Sequence, residues 1–323
     1  MHHYFKEHHN GFGISPLMQE LMAYVGHLDC YERCNEVLKR FLSVEVSPTQ
    51  VYRVTDFVSE KLENCLDPQE RILSPIEKDD LLYAQVDGSM VHIREEGWKE
   101  VKLARLFKSS DCLNPNSESS YLVNSHYVAH MGGHTDFCEL TEQAIDAYGF
   151  WNTHLVFITD GATWIKNWIE DYYPDSTAVL DYFHACEHLY EFADACFARD
   201  VQSKEAWCVK QKELLLESQT EAVLKNIRET GAKEKDKEKL LNYYQNNISR
   251  MDYKRYKSMG CGIIGSGAIE SAHRTVIQKR MKLSGQHWTK TGAKNMLRLR
   301  VVSMNKQWNK VVNILKQPIR KAA

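Results

Sequence analysis

No run of apolar residues in this chain approaches the roughly 18–20 that a bilayer-spanning helix needs, so no membrane partner is expected. The opening Met1-His2-His3-Tyr4-Phe5-Lys6-Glu7 lacks the apolar core of a secretory signal. The nine cysteines are odd in number and contain no C-x-x-C pair. Neither a disulfide framework nor a zinc ribbon is therefore expected, and the reading is a cytoplasmic protein. A further lack lies at the end of the chain, where no Asp or Glu follows Glu270. Thirteen Lys and Arg do: Arg274, Lys279, Arg280, Lys282, Lys290, Lys294, Arg298, Arg300, Lys306, Lys310, Lys316, Arg320 and Lys321. Taking those thirteen charges from the overall −2 leaves −15 on residues 1–270. An acidic body with a basic stripe points to a polyanion held on one face. Val276, Leu283, Met296 and Leu299 recur at helical spacing within the stripe, so it reads as folded helix; a solubilising tail is the plainer alternative.

With 43% hydrophobic and 26% charged residues, the rest is typical of a soluble globular chain. Residues 14–65 read as short helices, with Ser47-Pro48-Thr49 a helix start. They form either a helix-turn-helix or a plain helical bundle. The pattern changes near Pro75. Leu82 to Val86 reads as a strand running into Asp87-Gly88 and continuing through Val91 to Ile93. A turn at Glu95-Glu96-Gly97 leads to a second strand, Trp98 to Phe107, and Tyr121 to Ala129 reads as a third. A helix from Thr135 to Tyr148 stops at Gly149. Leu155 to Ile158 is a fully apolar strand ending at Thr159-Asp160-Gly161. A helix with Trp164 and Trp168 follows; both read as packing it onto the sheet rather than stacking on bases. Thr177 to Leu180 repeats the arrangement, ending at Asp181 before a helix from His184. Residues 190–258 are almost wholly helical and charged, an insertion rather than a second core.

The order is an α/β mixed sheet flanked by helices, with an all-α insertion before a last helix and a helical N-terminal region. The boundaries read as 1–78, 79–189, 190–259, 260–302 and a basic tail, 303–323. Sites in open sheets form at the carboxyl ends of strands. Asp160 and Asp181 lie there, and the topology places Asp87 on the central strand beside Asp160. Glu270 lies 110 residues beyond Asp160, on the last helix. Grouped carboxylates are what two Mg²⁺ ions require to stabilise both oxygens of an in-line phosphoryl displacement. The glycine after each of Asp87 and Asp160 permits close approach and a sharp turn.

Four collinear blocks carry a family likeness. Ala84-Gln85-Val86-Asp87-Gly88-Ser89-Met90 with Gly97-Trp98-Lys99-Glu100-Val101-Lys102-Leu103 resembles the first block of prokaryotic insertion-sequence DDE transposases of the Kra type. Thr159-Asp160-Gly161-Ala162-Thr163-Trp164-Ile165 and Val179-Leu180-Asp181-Tyr182-Phe183-His184-Ala185-Cys186-Glu187-His188-Leu189 resemble the second and third. Ile264-Gly265-Ser266-Gly267-Ala268-Ile269-Glu270-Ser271-Ala272, then Gln278-Lys279-Arg280-Met281-Lys282, resembles the fourth. Lre-type transposases share part of the pattern. The likeness covers residues 80–190 and 260–302. It implies an RNase H-like fold and Mg²⁺- or Mn²⁺-dependent cleavage and strand transfer at transposon ends. Asp87, Asp160 and Glu270 would be both the catalytic triad and the ligands of two ions, with Asp181 and His184 supporting. The expected DNA contacts are Arg274, Lys279, Arg280, Lys282, Lys290, Lys294, Arg298 and Arg300, with the N-terminal helices adding to the grip. Arg274, one turn beyond Glu270, either contacts phosphate or pairs with Glu270. The expected partners are transposon ends, target DNA and a second copy, and the setting is the nucleoid.

Other motifs compete. His184-Ala185-Cys186-Glu187-His188 matches the H-x-x-E-H zinc-peptidase pattern, which leaves Asp87, Asp160 and the acid-free end unexplained. Gly260-Cys261-Gly262-Ile263-Ile264-Gly265 matches G-x-G-x-x-G but follows a basic stretch instead of a strand. It reads as a glycine-rich approach to the Glu270 helix. A transposase-derived protein that binds DNA without cutting it is the third alternative.

Overall fold

The computed structural model describes residues 12–63, 76–77, 79–115, 120–149, 154–197 and 200–316. Pro75, Arg320 and Lys321 lie outside them. Three helices come first: α1 (Pro16–Gly26), α2 (Tyr31–Leu42) and α3 (Pro48–Glu63). Ser15 caps α1 by accepting the Met18 N–H at 3.3 Å, and Pro16 follows at a position with no hydrogen bond to lose. α1 approaches α3 closely: a Cβ at Gly26 would lie 2.3 Å from Thr55 Oγ1.

The sheet strands are β1 (Leu81–Ile93) and β2 (Gly97–Lys108), then β3 (Cys112–Leu113), β4 (Tyr121–Leu122) and β5 (His126–His130). After α4 (His134–Ala147) come β6 (His154–Thr159), α5 (Thr163–Tyr172) and β7 (Thr177–Leu180). Five of these strands make one mixed sheet in the order β5-β2-β1-β6-β7, in which β2 alone is reversed. The expected third strand is split. Its first part pairs with β3 as a separate ribbon, because Asn124 and Ser125 turn aside to bond Asp111 and Arg105. Leu82, Ala84 and Val86 face α4 and α5, where Trp168 is buried and Trp164 packs alongside, as expected. Tyr83 lies in the opposite core, and the alternation of a strand carries Gln85 and Asp87 to that side as well.

That side is covered by the charged segment: α6 (Tyr182–Phe197), α7 (Val201–Leu216), α8 (Thr220–Glu229), α9 (Glu234–Asn247) and α10 (Tyr253–Lys257). It has no separate core, since Leu215, Val223, Leu240 and Tyr244 share one with Tyr83, Phe107 and Val156. The last part holds α11 (Gly267–Ala272), a π-helical turn (His273–Gln278), α12 (Lys279–Met281), α13 (Lys290–Met304) and α14 (Asn309–Lys316). α13 and α14 share a core with α1 to α3, so the described part of the expected tail is a docked helix. Asn305, after α13, lies along the outer edge of β5. Its amide accepts the Tyr127 N–H at 2.7 Å and donates to the Tyr127 carbonyl at 2.9 Å.

Three expected DNA contacts are structural instead. Arg280 is fully buried, its guanidinium 4.9 Å from the Tyr31 ring and 5.0 Å from Trp288, with Nε donating to Gly26 O at 2.9 Å. Arg300 is 4% exposed and serves the π turn, whose altered pitch frees carbonyls from the regular ladder. It donates to Val276 O at 3.1 Å, to Thr275 O, and to His27 O at 3.1 Å. Burial lowers its pKa to about 10. Arg298 joins α13 to α3 through Ser59 O at 2.9 Å and Glu63 at 2.8 Å. Burial removes Arg280 and Arg300 from a phosphate-binding surface, and pairing with α3 occupies Arg298. Replacing Arg280 by Ala is expected to lower stability by roughly 2–4 kcal/mol through the cavity left behind. The volume-matched Arg280→Met should cost about 1 kcal/mol or less, because it removes the buried charge without opening a void. Urea midpoints of the two variants check this.

Candidate active site

The alignment of three strands determines what meets at the site. Val86 of β1 is in register with Thr159 of β6, and Thr159 with Leu180 of β7. The next residue on each strand is an aspartate: Asp87, Asp160, Asp181. The Asp181 N–H donates to Thr159 O at 2.9 Å and continues the ladder by one step. With neighbouring strands about 4.8 Å apart, three acids stand side by side at one edge of the sheet.

Glu270 reaches that edge by a separate device. Gln85, two residues before Asp87 on the same face, is fully buried. Its Nε2 donates to Gly265 O at 3.0 Å and its Oε1 accepts the Ile269 N–H at 2.8 Å. From the paired position on β2, Arg105 donates to Ala268 O at 2.7 Å. Together they fasten the first turn of α11 to the sheet. Glu270 accepts a 2.6 Å hydrogen bond from Ser266, whose N–H donates to Asp181 at 3.1 Å. Asp181 and Glu270 are thus joined through one serine. Asp181 is buried and also accepts the Phe183 N–H at 2.9 Å. Burial pushes its pKa up, against the downward pull of the Ser266 and Phe183 donors.

The other carboxylates also have protein partners. Asp87 lies 3.2 Å from Nε2 of His273, which is 5% exposed at its side chain and one turn beyond Glu270. The contact is close in distance but lacks hydrogen-bond alignment, and neither ring nitrogen of His273 has a hydrogen-bond partner among the described residues. Asp160 accepts the Ala162 N–H at 3.0 Å. Gly161 takes a left-handed φ of 90°, the sharp turn expected there. Gly88 makes no turn and stays within β1; a Cβ on it would meet Glu100 Oε1 at 2.4 Å. The insertion backs Asp160 as well: Tyr243 Oη donates to its carbonyl at 3.4 Å, and buried Arg250 reaches Thr159 Oγ1.

Asp87, Asp160 and Asp181 therefore align, and Glu270 is brought to them from the far end of the chain. Among the described residues no three His, Cys, Asp or Glu side chains gather closely enough to hold a metal ion. Glu270 bonds Ser266 and forms no ion pair with Arg274 among the described residues. Lys290 pairs with Glu96 at 2.8 Å, whereas Arg274, Lys279, Lys282 and Lys294 are exposed. His184 turns from Asp181 to Glu187 at 3.2 Å. Gln85, Ser266 and His273 were not singled out from the sequence. The signals for them were a polar residue inside an apolar strand, and spacings of four before and three after Glu270.

Two outcomes follow. Gln85→Ala leaves two buried backbone groups unpaired and should cost about 2–4 kcal/mol. Amide hydrogen exchange is expected to rise most at residues 266–272. For Asp181 the folded pKa lies above the unfolded one, so ionisation opposes folding as pH rises through the ordinary aspartate range near about 3.9. Asp181→Asn keeps both accepted hydrogen bonds. It should raise the urea midpoint at pH 7, a gain that vanishes at pH 3.

No helix among the described residues is long and apolar enough to cross a membrane. Among curated proteins, no match to the chain was found. A family model described as Uncharacterised protein family (UPF0236) matches residues 28–317, most of the molecule. The chain belongs to the uncharacterised protein family UPF0236.

Proposed function

We propose that this protein is a DDE transposase of the Kra type, cutting and joining DNA at the ends of an insertion sequence with an RNase H-like core. The observation that carries the reading is the register of β1, β6 and β7, which sets Asp87 within β1 beside Asp160 and Asp181 at the ends of β6 and β7, with α11 fastened above them by Gln85. In the reaction, water attacks the scissile phosphate and frees a 3′-OH, and that hydroxyl then attacks a phosphate of target DNA.

The donor chemistry fits Mg²⁺ or Mn²⁺, which take hard carboxylate oxygens. Asp87 and Asp160 would hold two ions, with Glu270 completing the shell of one. Such ions, when bound, lower the pKa of water and stabilise the attacking and leaving oxygens. The chain itself must first turn Glu270 away from Ser266 and Asp87 away from His273, so that the carboxylates face a common point. Asp181 then retains Ser266 through its backbone N–H and holds the start of α11 in place. Arg274, Lys279, Lys282 and Lys294 carry the cationic surface for DNA phosphates, with the α1–α3 bundle as a further contact. Pairing two transposon ends calls for two copies of the chain, working at the nucleoid.

Mg²⁺-dependent nicking of element-end DNA tests this. Asp160→Asn, Asp87→Asn and Glu270→Gln should each lose on the order of a hundredfold or more in rate. Equal activity in wild type and Asp160→Asn removes the site, and DNA binding without nicking favours a silent, transposase-derived binder. Exposed and buried cations should also separate. Lys279→Gln and Lys282→Gln should each lower the slope of log affinity against log salt by about 1. Arg300→Gln should leave that slope unchanged.

A further inference from the structure

We propose that His184 and His188 form a site for one borderline transition-metal ion such as Zn²⁺, Co²⁺ or Ni²⁺, separate from the aspartate row and independent of the transposase reading. The two side chains lie four residues apart on α6, so they share a face, and their ring centroids are 4.8 Å apart. Each has a carboxylate one turn further along, and that of Glu187 orients His184. His184 Nδ1 is 3.2 Å from Glu187 Oε2, and His188 Nδ1 stands 3.6 Å from Glu191 Oε2. An ionised carboxylate only accepts hydrogen bonds, so the His184 ring hydrogen belongs on Nδ1 and its Nε2 lone pair is left for a ligand. Glu191, by contrast, lies beyond hydrogen-bond distance of His188 and accepts from Lys239 at 3.3 Å. A carboxylate behind a histidine is the arrangement that fixes tautomer and ring orientation for metal binding. The Tyr243 ring, with its centroid 4.2 Å from that of His188, holds that imidazole in place.

The rings are 35% and 24% exposed, which leaves an ion room to approach. Burial and the neighbouring His184 push the pKa of His188 down, favouring the neutral form that binds metal. Imidazole prefers borderline ions, whereas Mg²⁺ prefers oxygen, so the two sites would not compete for one metal. The geometry does not make a peptidase: Glu187 is engaged with His184 and is not placed to activate a metal-bound water. Among the described residues no third His, Cys, Asp or Glu joins the pair, so exogenous ligands would complete the coordination.

The test is Zn²⁺ binding to the full chain in excess Mg²⁺, read by competition with a chromophoric chelator. His2, His3, His8 and His9 can also bind metal, so the readout is a difference between variants. Wild type should hold one more equivalent of Zn²⁺ than His188→Asn or His184→Asn. Glu187→Gln should retain that equivalent with affinity weakened roughly tenfold. Unchanged stoichiometry and affinity in His188→Asn overturns the site. Should the variants fold poorly, Zn²⁺ protection of the two histidines from diethylpyrocarbonate, read by peptide mass spectrometry on wild type, decides the matter. Protection of both supports the site, and labelling of both at the metal-free rate overturns it.

Discussion

The amide of Gln85 joins the first strand of the sheet to the start of α11. One side chain on the central strand satisfies a carbonyl at Gly265 and an N–H at Ile269, some 180 residues away in sequence. The two groups it satisfies lie at the start of α11, where the first turn of a helix leaves N–H groups without internal partners. Burying that turn against an apolar sheet would leave those groups unpaired at substantial cost; a glutamine at this position removes the cost. The position of Glu270 relative to the three aspartates follows from this contact, and Arg105 reinforces it from the next strand.

β6 and β7 could be read from the sequence because each is an apolar run cut off by an acid, and β1 because its apolar residues resume beyond Asp87 as far as Ile93. β1 and β6 needed only the alternation and length of their residues to be found. The helical insertion was equally plain. Its attachment was not, since Leu240 and Tyr244 give no local sign that they complete a core begun by Tyr83 and Val156. The π turn after α11 is also invisible locally, because Arg300 on another helix satisfies its carbonyls. The split of the expected third strand depended on Ser125 finding Arg105, again a contact between distant residues.

Cations were the least legible feature. An acid-free stretch rich in Lys and Arg suggests a surface for phosphate, yet three of its arginines part company with Arg274 and the lysines. Arg280, Arg298 and Arg300 use planar, many-donor groups to staple backbone carbonyls inside the protein, a task to which the compact ammonium of lysine is poorly suited. The lysines of the same stretch stay outside, at Lys279, Lys282 and Lys294. Charge counted along a sequence therefore overstates the charge presented to a polyanion wherever arginine lies on the inward face of a helix.

The amide of Asn305 along β5 bears on how copies of this protein could assemble. A bare outer strand invites another chain to extend the sheet. Here the amide occupies both backbone groups of Tyr127, imitating the neighbour that an incoming strand would be. Addition of a further strand beside β5 is blocked at that residue.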